Sequence, residues 1–224
     1  GQISIREVYS LIEKAPPSAG KEVFIKELAW RDFYNMIYHF YPKQQDEEII
    51  EKYRNLPWSY DEEAFAKWKE GQTGFPIVDA AMRQLKEEGW MHNRLRMIAA
   101  SFLVKDLLMD WRMGEEYFSH MLIDYDSASN IGGWQWAASV GTDAAPYFRV
   151  FNPTTQGQKF DPDGKFIKKY VKELKDVPKE YIHEPHRYAK QLKSQWDIEI
   201  DSVYPKAMVD HKTQRLRAIE MFQI

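Results

Sequence analysis

Gly89-Trp-Met-His-Asn-Arg-Leu-Arg-Met97, together with Asp124-Tyr-Asp126-Ser-Ala-Ser-Asn130-Ile-Gly-Gly-Trp134-Gln-Trp136, decides the reading of this chain. These stretches pack charges, amides and indoles more densely than a plain core needs, which implies that something planar and polar is held there. Arg96 and Asp124 stand among apolar residues, where an unpaired charge is strongly disfavoured, so they are expected to pair with each other or with a ligand. Taken alone, the residues fit a buried structural ion pair as well as a ligand site. Outward from this centre, Asn93 to Asp110 reads as one long buried helix. A further helix is expected from about Glu115 to Ile123, after a break at Gly114.

Helical patterning extends to both ends. Ile5, Val8, Leu11 and Ile12 fall on one helical face, and Pro16-Pro17 stops that helix. A second helix is predicted from about Gly20 to Tyr41, ended by Pro42; its Phe24, Trp30, Phe33, Tyr34 and Tyr38 imply burial on more than one side. Asp61 caps a short helix carrying Phe65 and Trp68, and Pro76 opens another that ends at Gly89. Thr142 to Gly164 reads as an ordered loop, followed by an amphipathic helix carrying Phe166, Ile167, Tyr170 and Val171. Asp176 to Lys206 reads as surface-wrapping structure. No strand alternation is convincing, so an all-α fold over a single domain, residues 1–224, is expected.

Composition narrows the function classes. A chain of 224 residues, 44% of them hydrophobic, can bury one good core. It has no cysteine, which excludes disulfides and thiolate metal sites, and no apolar run of membrane-spanning length. An intracellular soluble protein that does not engage a membrane is expected. The net charge of −3 does not advertise a polyanion partner, so any DNA binding must use a local basic face. His183-Glu184-Pro185-His186 lacks the spacing and third ligand of a metal site. Gly132-Gly133 lies outside any phosphate-binding fingerprint. The chain opens abruptly at Gly1, from which missing upstream sequence is expected.

A third cluster is Glu27-Leu-Ala-Trp30-Arg31-Asp-Phe-Tyr34, which on a helix joins a carboxylate, two aromatics and a cation. Its plain reading is a core edge. With Gly141-Thr-Asp-Ala-Ala-Pro-Tyr-Phe-Arg149-Val-Phe-Asn-Pro-Thr-Thr-Gln156-Gly-Gln-Lys-Phe-Asp161, the whole resembles the C-terminal, FAD-binding helical domain of class I cyclobutane pyrimidine dimer photolyases, in the photolyase/cryptochrome family. The resemblance runs from Gly1-Gln-Ile-Ser-Ile-Arg-Glu-Val-Tyr9 to His211 and is strongest between Thr73 and Asp161.

That resemblance implies a multi-helical flavin-binding fold and light-driven repair of UV-damaged DNA: excited, fully reduced FAD passes an electron to a cyclobutane pyrimidine dimer, the ring opens, and the electron returns. It implies that Phe24, Glu27, Arg31, Asn93, Arg96, Asp124, Tyr125, Asp126 and Asn130 contact the cofactor, with the Asn130 amide facing the flavin N5. Glu27, Trp30, Arg31, Tyr34, Asn93, Arg94, Met97 and Trp136 would form the lesion pocket, with Glu27 hydrogen-bonding a pyrimidine carbonyl. Arg94, Arg149, Gln156 and Lys159 would meet the DNA backbone. Trp58, Trp111 and Trp134 would relay electrons from the surface inward; without the resemblance, tryptophans read as packing residues.

Asn93 and Met97, where histidines are expected for a (6-4) photoproduct enzyme, favour the cyclobutane dimer as substrate. The resemblance further implies a cytoplasmic, nucleoid-associated monomer of bacterial type. Phe24 replaces a tryptophan common in relatives. The relatives' FAD-phosphate segment and antenna-chromophore domain lie upstream of the part matched by Gly1 to Tyr9, so weak or absent FAD binding is expected of this stretch alone. Two other readings stay open: a cryptochrome-type blue-light photoreceptor, and a flavin-free helical nucleic-acid-binding module.

Overall fold

The computed structural model describes residues 3–223. Gly1 and Gln2, which open the resembling segment, and Ile224 lie outside the described residues.

Local sequence sets most helix ends. α1 (Ile5–Lys14) leads to α2 (Ala19–Phe40), where Ser18 Oγ accepts the Lys21 N–H at 3.1 Å. Asp61 caps α3 (Glu62–Lys69) through the Ala64 N–H at 3.0 Å. Pro76 opens α4 (Pro76–Glu88), and Gly89 ends it in the left-handed conformation at φ 64°. His92, Asp110, Asp126 and Asn152 each turn a side-chain acceptor onto the first turn of α5 (Asn93–Ser101), α6 (Trp111–Met121), α7 (Ser127–Ala138) and α8 (Pro153–Phe160). α9 (Lys165–Tyr170), α10 (Ala189–Trp196), α11 (Ile200–Val203) and α12 (His211–Met221) complete the chain. Among the described residues the only β-type pairing is the isolated bridge Ser59–Met109, and no helix is long and apolar enough to cross a membrane.

Four expectations change. The long helix after Asn93 leaves α-geometry at a π-helical turn, Phe102–Asp106, and ends there. The left-handed Leu108 (φ 55°) follows and its carbonyl accepts the Ser59 N–H at 2.7 Å. Gly114 does not break a helix but lies within α6, because a Cβ there would come within 2.1 Å of the Trp134 ring. The supposed loop Thr142 to Gly164 contains α8, started by the Asn152 cap and Pro153. α2 has no buried residue: it packs mainly on α7 with α1 beside it, and Phe24 and Trp30 are 50% and 46% exposed.

The core gathers around α4 and α7. α4 packs against α3, α5, α8 and α9, while α7 lies among α2, α5 and α6. Trp68, Phe118 and Trp134 interlock at its centre, with Phe118 and Trp134 5.0 Å apart edge to face. A buried polar hub ties distant chain segments to this core: Asp79 accepts the Thr73 N–H at 2.7 Å, the Thr73 hydroxyl at 2.6 Å and the Tyr204 hydroxyl at 2.5 Å.

Candidate functional site

α7 is the spine of the site. Its apolar, small and amide residues carry no helical periodicity because three helices pack around it, and its position lets one face border two cavities. The first encloses about 440 Å³ between α5, α6 and α7. The second, about 410 Å³, opens between α2, α5 and α7. Arg31, Asn93, Met97, Ser129 and Gly133 line both.

The first cavity collects Arg31, Asn93, Arg96, Asp124, Tyr125, Asp126 and Asn130 of the expected cofactor residues. Arg96 bonds both Asp124 oxygens, at 3.0 and 2.8 Å, and donates Nε–H to the Met91 carbonyl at 2.7 Å. The pair is real but not buried as the sequence suggested, since both side chains stay partly exposed at the cavity edge. Asp126 caps α7 by accepting the Ser129 N–H at 2.9 Å, so its lining role is combined with a structural one.

The Asn130 amide is oriented by Glu115, to which Nδ2 donates at the carboxylate (3.0 Å) and the backbone carbonyl (3.3 Å). This leaves Oδ1 as the end that Glu115 does not engage. The same Glu115 oxygen accepts the Tyr125 hydroxyl at 3.0 Å. Loss of water around that hydroxyl, then the Glu115 charge, pushes the Tyr125 phenol up to about 12.

The second cavity collects Glu27, Trp30, Arg31, Tyr34, Asn93, Met97 and Trp136. Trp30 stacks on Tyr34 at 6.2 Å and meets Phe33 edge-on at 5.6 Å. Tyr34 lies so close to α7 that a Cβ on Gly132 would come within 2.2 Å of its ring. Aromatic walls, the carboxylates of Glu27 and Asp143 and the Asn93 amide, at this volume, suit a flat, partly polar ligand.

The remaining expected residues lie elsewhere. Phe24 borders neither cavity. Arg94 and Lys159 flank Phe160, with the guanidinium 4.7 Å and the ammonium 5.4 Å from its ring centre. Arg149 is exposed, and the Gln156 Oε1 is buried without a partner. Trp134 lines the first cavity, and Gly114, one turn beyond the buried Trp111, touches its ring tip. The Ser59–Met109 bridge brings the segments of Trp58 and Trp111 together. Trp58, expected to start at the surface, is only 9% exposed because Phe222 packs over it at 6.2 Å.

Sequence reasoning did not name Glu115, Ser129, Gly133 or Asp143 as site residues. Helical spacing from Asn130 and Trp136 could have found Ser129 and Gly133, which share their helix. Glu115 and Asp143 carry no local signal.

The first cavity fits a flavin ring: Arg96 supplies positive charge, Asn130 and Asp124 supply polar edges, and Met97, Leu122 and Trp134 supply apolar walls. Comparisons with known proteins place the chain in a family. The sequence profile described as the FAD binding domain of DNA photolyase matches residues 24–224. A deoxyribodipyrimidine photo-lyase of Alkalihalophilus pseudofirmus is 55% identical over all of this chain and 47% of its own length. The Escherichia coli protein of the same name is 51% identical over 90% of this chain and 42% of its own. A class III photolyase structure from Agrobacterium tumefaciens superposes with a TM-score of 0.93 at 41% identity, covering 99% of this chain and 46% of that one. A Synechocystis cryptochrome gives 0.91 at 35% identity, covering 98% and 46%. The chain thus spans less than half the length of these relatives, and it belongs to the family of FAD-binding domains of DNA photolyases.

Proposed function

We propose that this chain forms the flavin- and lesion-binding part of an enzyme that repairs UV-damaged DNA by splitting cyclobutane pyrimidine dimers with light. The observation that carries this reading is a pair of adjoining cavities whose linings share Arg31, Asn93, Met97, Ser129 and Gly133. Two planar guests, one in each of two adjoining cavities, lie within electron-transfer reach. FAD, reduced and excited by light, would supply the electron.

The residues of this chain bind, orient and balance charge. Arg96, held by Asp124, offsets negative charge on the cofactor ring, and Asn130 presents Oδ1 to accept a hydrogen bond from it. Trp30 and Trp136 flank a dimer flipped from the duplex, and Glu27 hydrogen-bonds its carbonyl edge. Arg94, Arg149, Gln156 and Lys159 hold the DNA backbone without reading sequence. Trp58, Trp111 and Trp134 form a relay that brings electrons from outside to the first cavity.

Illumination of the reduced, FAD-loaded enzyme that contains this chain, with dimer-containing DNA, tests this reading. Repair should occur, and Glu27→Ala and Trp30→Ala should each lower it strongly. Unchanged repair in both variants would refute the lesion pocket. Flavin photochemistry without any repair would instead identify a photoreceptor.

A further inference from the structure

The relay residues differ in what their indole N–H groups meet. Trp58 Nε1 is buried without a partner. Trp111 Nε1, by contrast, donates to the Glu48 carboxylate at 3.2 Å. Glu48 is itself 1% exposed, and its other oxygen binds the Arg112 guanidinium at 2.8 Å. Arg112 lies 4.7 Å from the Trp111 ring centre and also bonds Asp110 at 3.0 Å. Two carboxylates therefore face one guanidinium around this ring. A backbone carbonyl suffices to satisfy a buried indole, as Ala99 does for Trp68 at 3.2 Å, so packing alone does not call for a buried carboxylate, which is costly to desolvate.

We propose that Glu48 is a positioning residue that stabilises positive charge on Trp111, which draws that charge away from Trp134 as it moves outward. The inference rests on the relay reading above. One electron passes from the Trp111 ring to the oxidised Trp134 ring, whose own electron has gone to a light-excited flavin. Positive charge moves from Trp134 to Trp111 and no bond breaks; the hydrogen bond to Glu48 becomes charge-assisted on both sides. Trp58 then refills Trp111.

The test uses the FAD-loaded protein carrying Trp58→Phe, so that the charge stops at Trp111. Glu48→Gln keeps an oxygen for the indole but removes the charge, and charge recombination followed by transient absorption is expected to speed about tenfold, the difference between a charged and a neutral acceptor. Arg112→Gln removes the opposing cation and should slow recombination, which keeps the inference testable if Glu48→Gln does not fold. In the flavin-free chain, the NMR resonance of the Trp111 indole N–H should move upfield in Glu48→Gln as its hydrogen bond weakens. Unchanged recombination in both variants, where Trp111→Phe does block flavin photoreduction, would overturn the role of Glu48 and leave the relay standing. Photoreduction that survives Trp111→Phe would overturn the relay itself, and this inference with it.

Discussion

Asn130 and Glu115 are locked together across the α6–α7 contact: the amide nitrogen reaches the carboxylate at 3.0 Å and the backbone carbonyl at 3.3 Å. The amide therefore cannot turn freely, and its oxygen is the end left for a ligand. Glu115→Ala should release that restraint and weaken FAD binding roughly tenfold, the equivalent of one hydrogen bond's worth of orientation. It should also let the Tyr125 phenol fall part of the way from about 12, because burial, the largest cause, remains while the Glu115 charge and acceptor are gone. Flavin fluorescence titration and ultraviolet titration of Tyr125 read the two effects. If neither moved, Glu115 would not be holding the site.

Gly133, Gly132 and Gly114 separate fold from binding. Gly133 borders both cavities, and a Cβ there would meet nothing within 4 Å, so Gly133→Ala should melt like the parent yet bind flavin or dimer DNA less well. At Gly132 a Cβ would press on the Tyr34 ring at 2.2 Å, and at Gly114 on Trp134 at 2.1 Å. Alanine at either should cost about 1–3 kcal/mol or more through overpacking. Thermal melts beside ligand titrations would separate the cases; a destabilised Gly133→Ala with normal binding would reverse the assignment.

Those glycines also mark what the sequence could and could not reveal. Asp61, Pro76 and Gly89 announced helix ends correctly, since a cap acts through its own nearest residues. Gly114 looked like a break because a glycine admitting a neighbouring ring has the same local signature as one ending a helix. α7 carried no periodic signal, being surrounded by three helices. The cavity residues Arg96, Asp124 and Asn130 stood out because charges and amides are dense among apolar neighbours. Glu48 did not, as its meaning comes from Trp111 and Arg112, which lie 63 and 64 positions away.

Asp79 should be among the most stability-sensitive positions outside the cavities. Its carboxylate is fully buried and takes hydrogen bonds from Thr73, Gly74 and Tyr204. Asp79→Ala strands those donors, each costing about 1–3 kcal/mol when left unpaired, so a loss of several kcal/mol is expected. Chemical denaturation measures it. A loss below about 1 kcal/mol would mean that the hub relaxes and finds other partners.

Lys105 gives a pH dependence whose sign can be worked out. It is fully buried, with one hydrogen bond, to the Ala138 carbonyl at 3.3 Å, and its ammonium lies 3.7 Å from the Phe222 ring centre. Burial pushes its pKa from 10.5 down to about 7. Between those values the unfolded chain holds a proton that the folded protein has lost, so stability rises with pH across this window. The gain is complete above 10.5 and is lost as pH falls through about 7. Lys105→Met removes the cost of burying the amine and should stabilise the fold near neutral pH by on the order of 3 kcal/mol. That advantage should shrink steadily as the medium is made alkaline, because the parent's penalty fades while the variant has none. Urea titrations of both proteins across the window measure it, and a difference that stayed constant with pH would show that Lys105 does not titrate there.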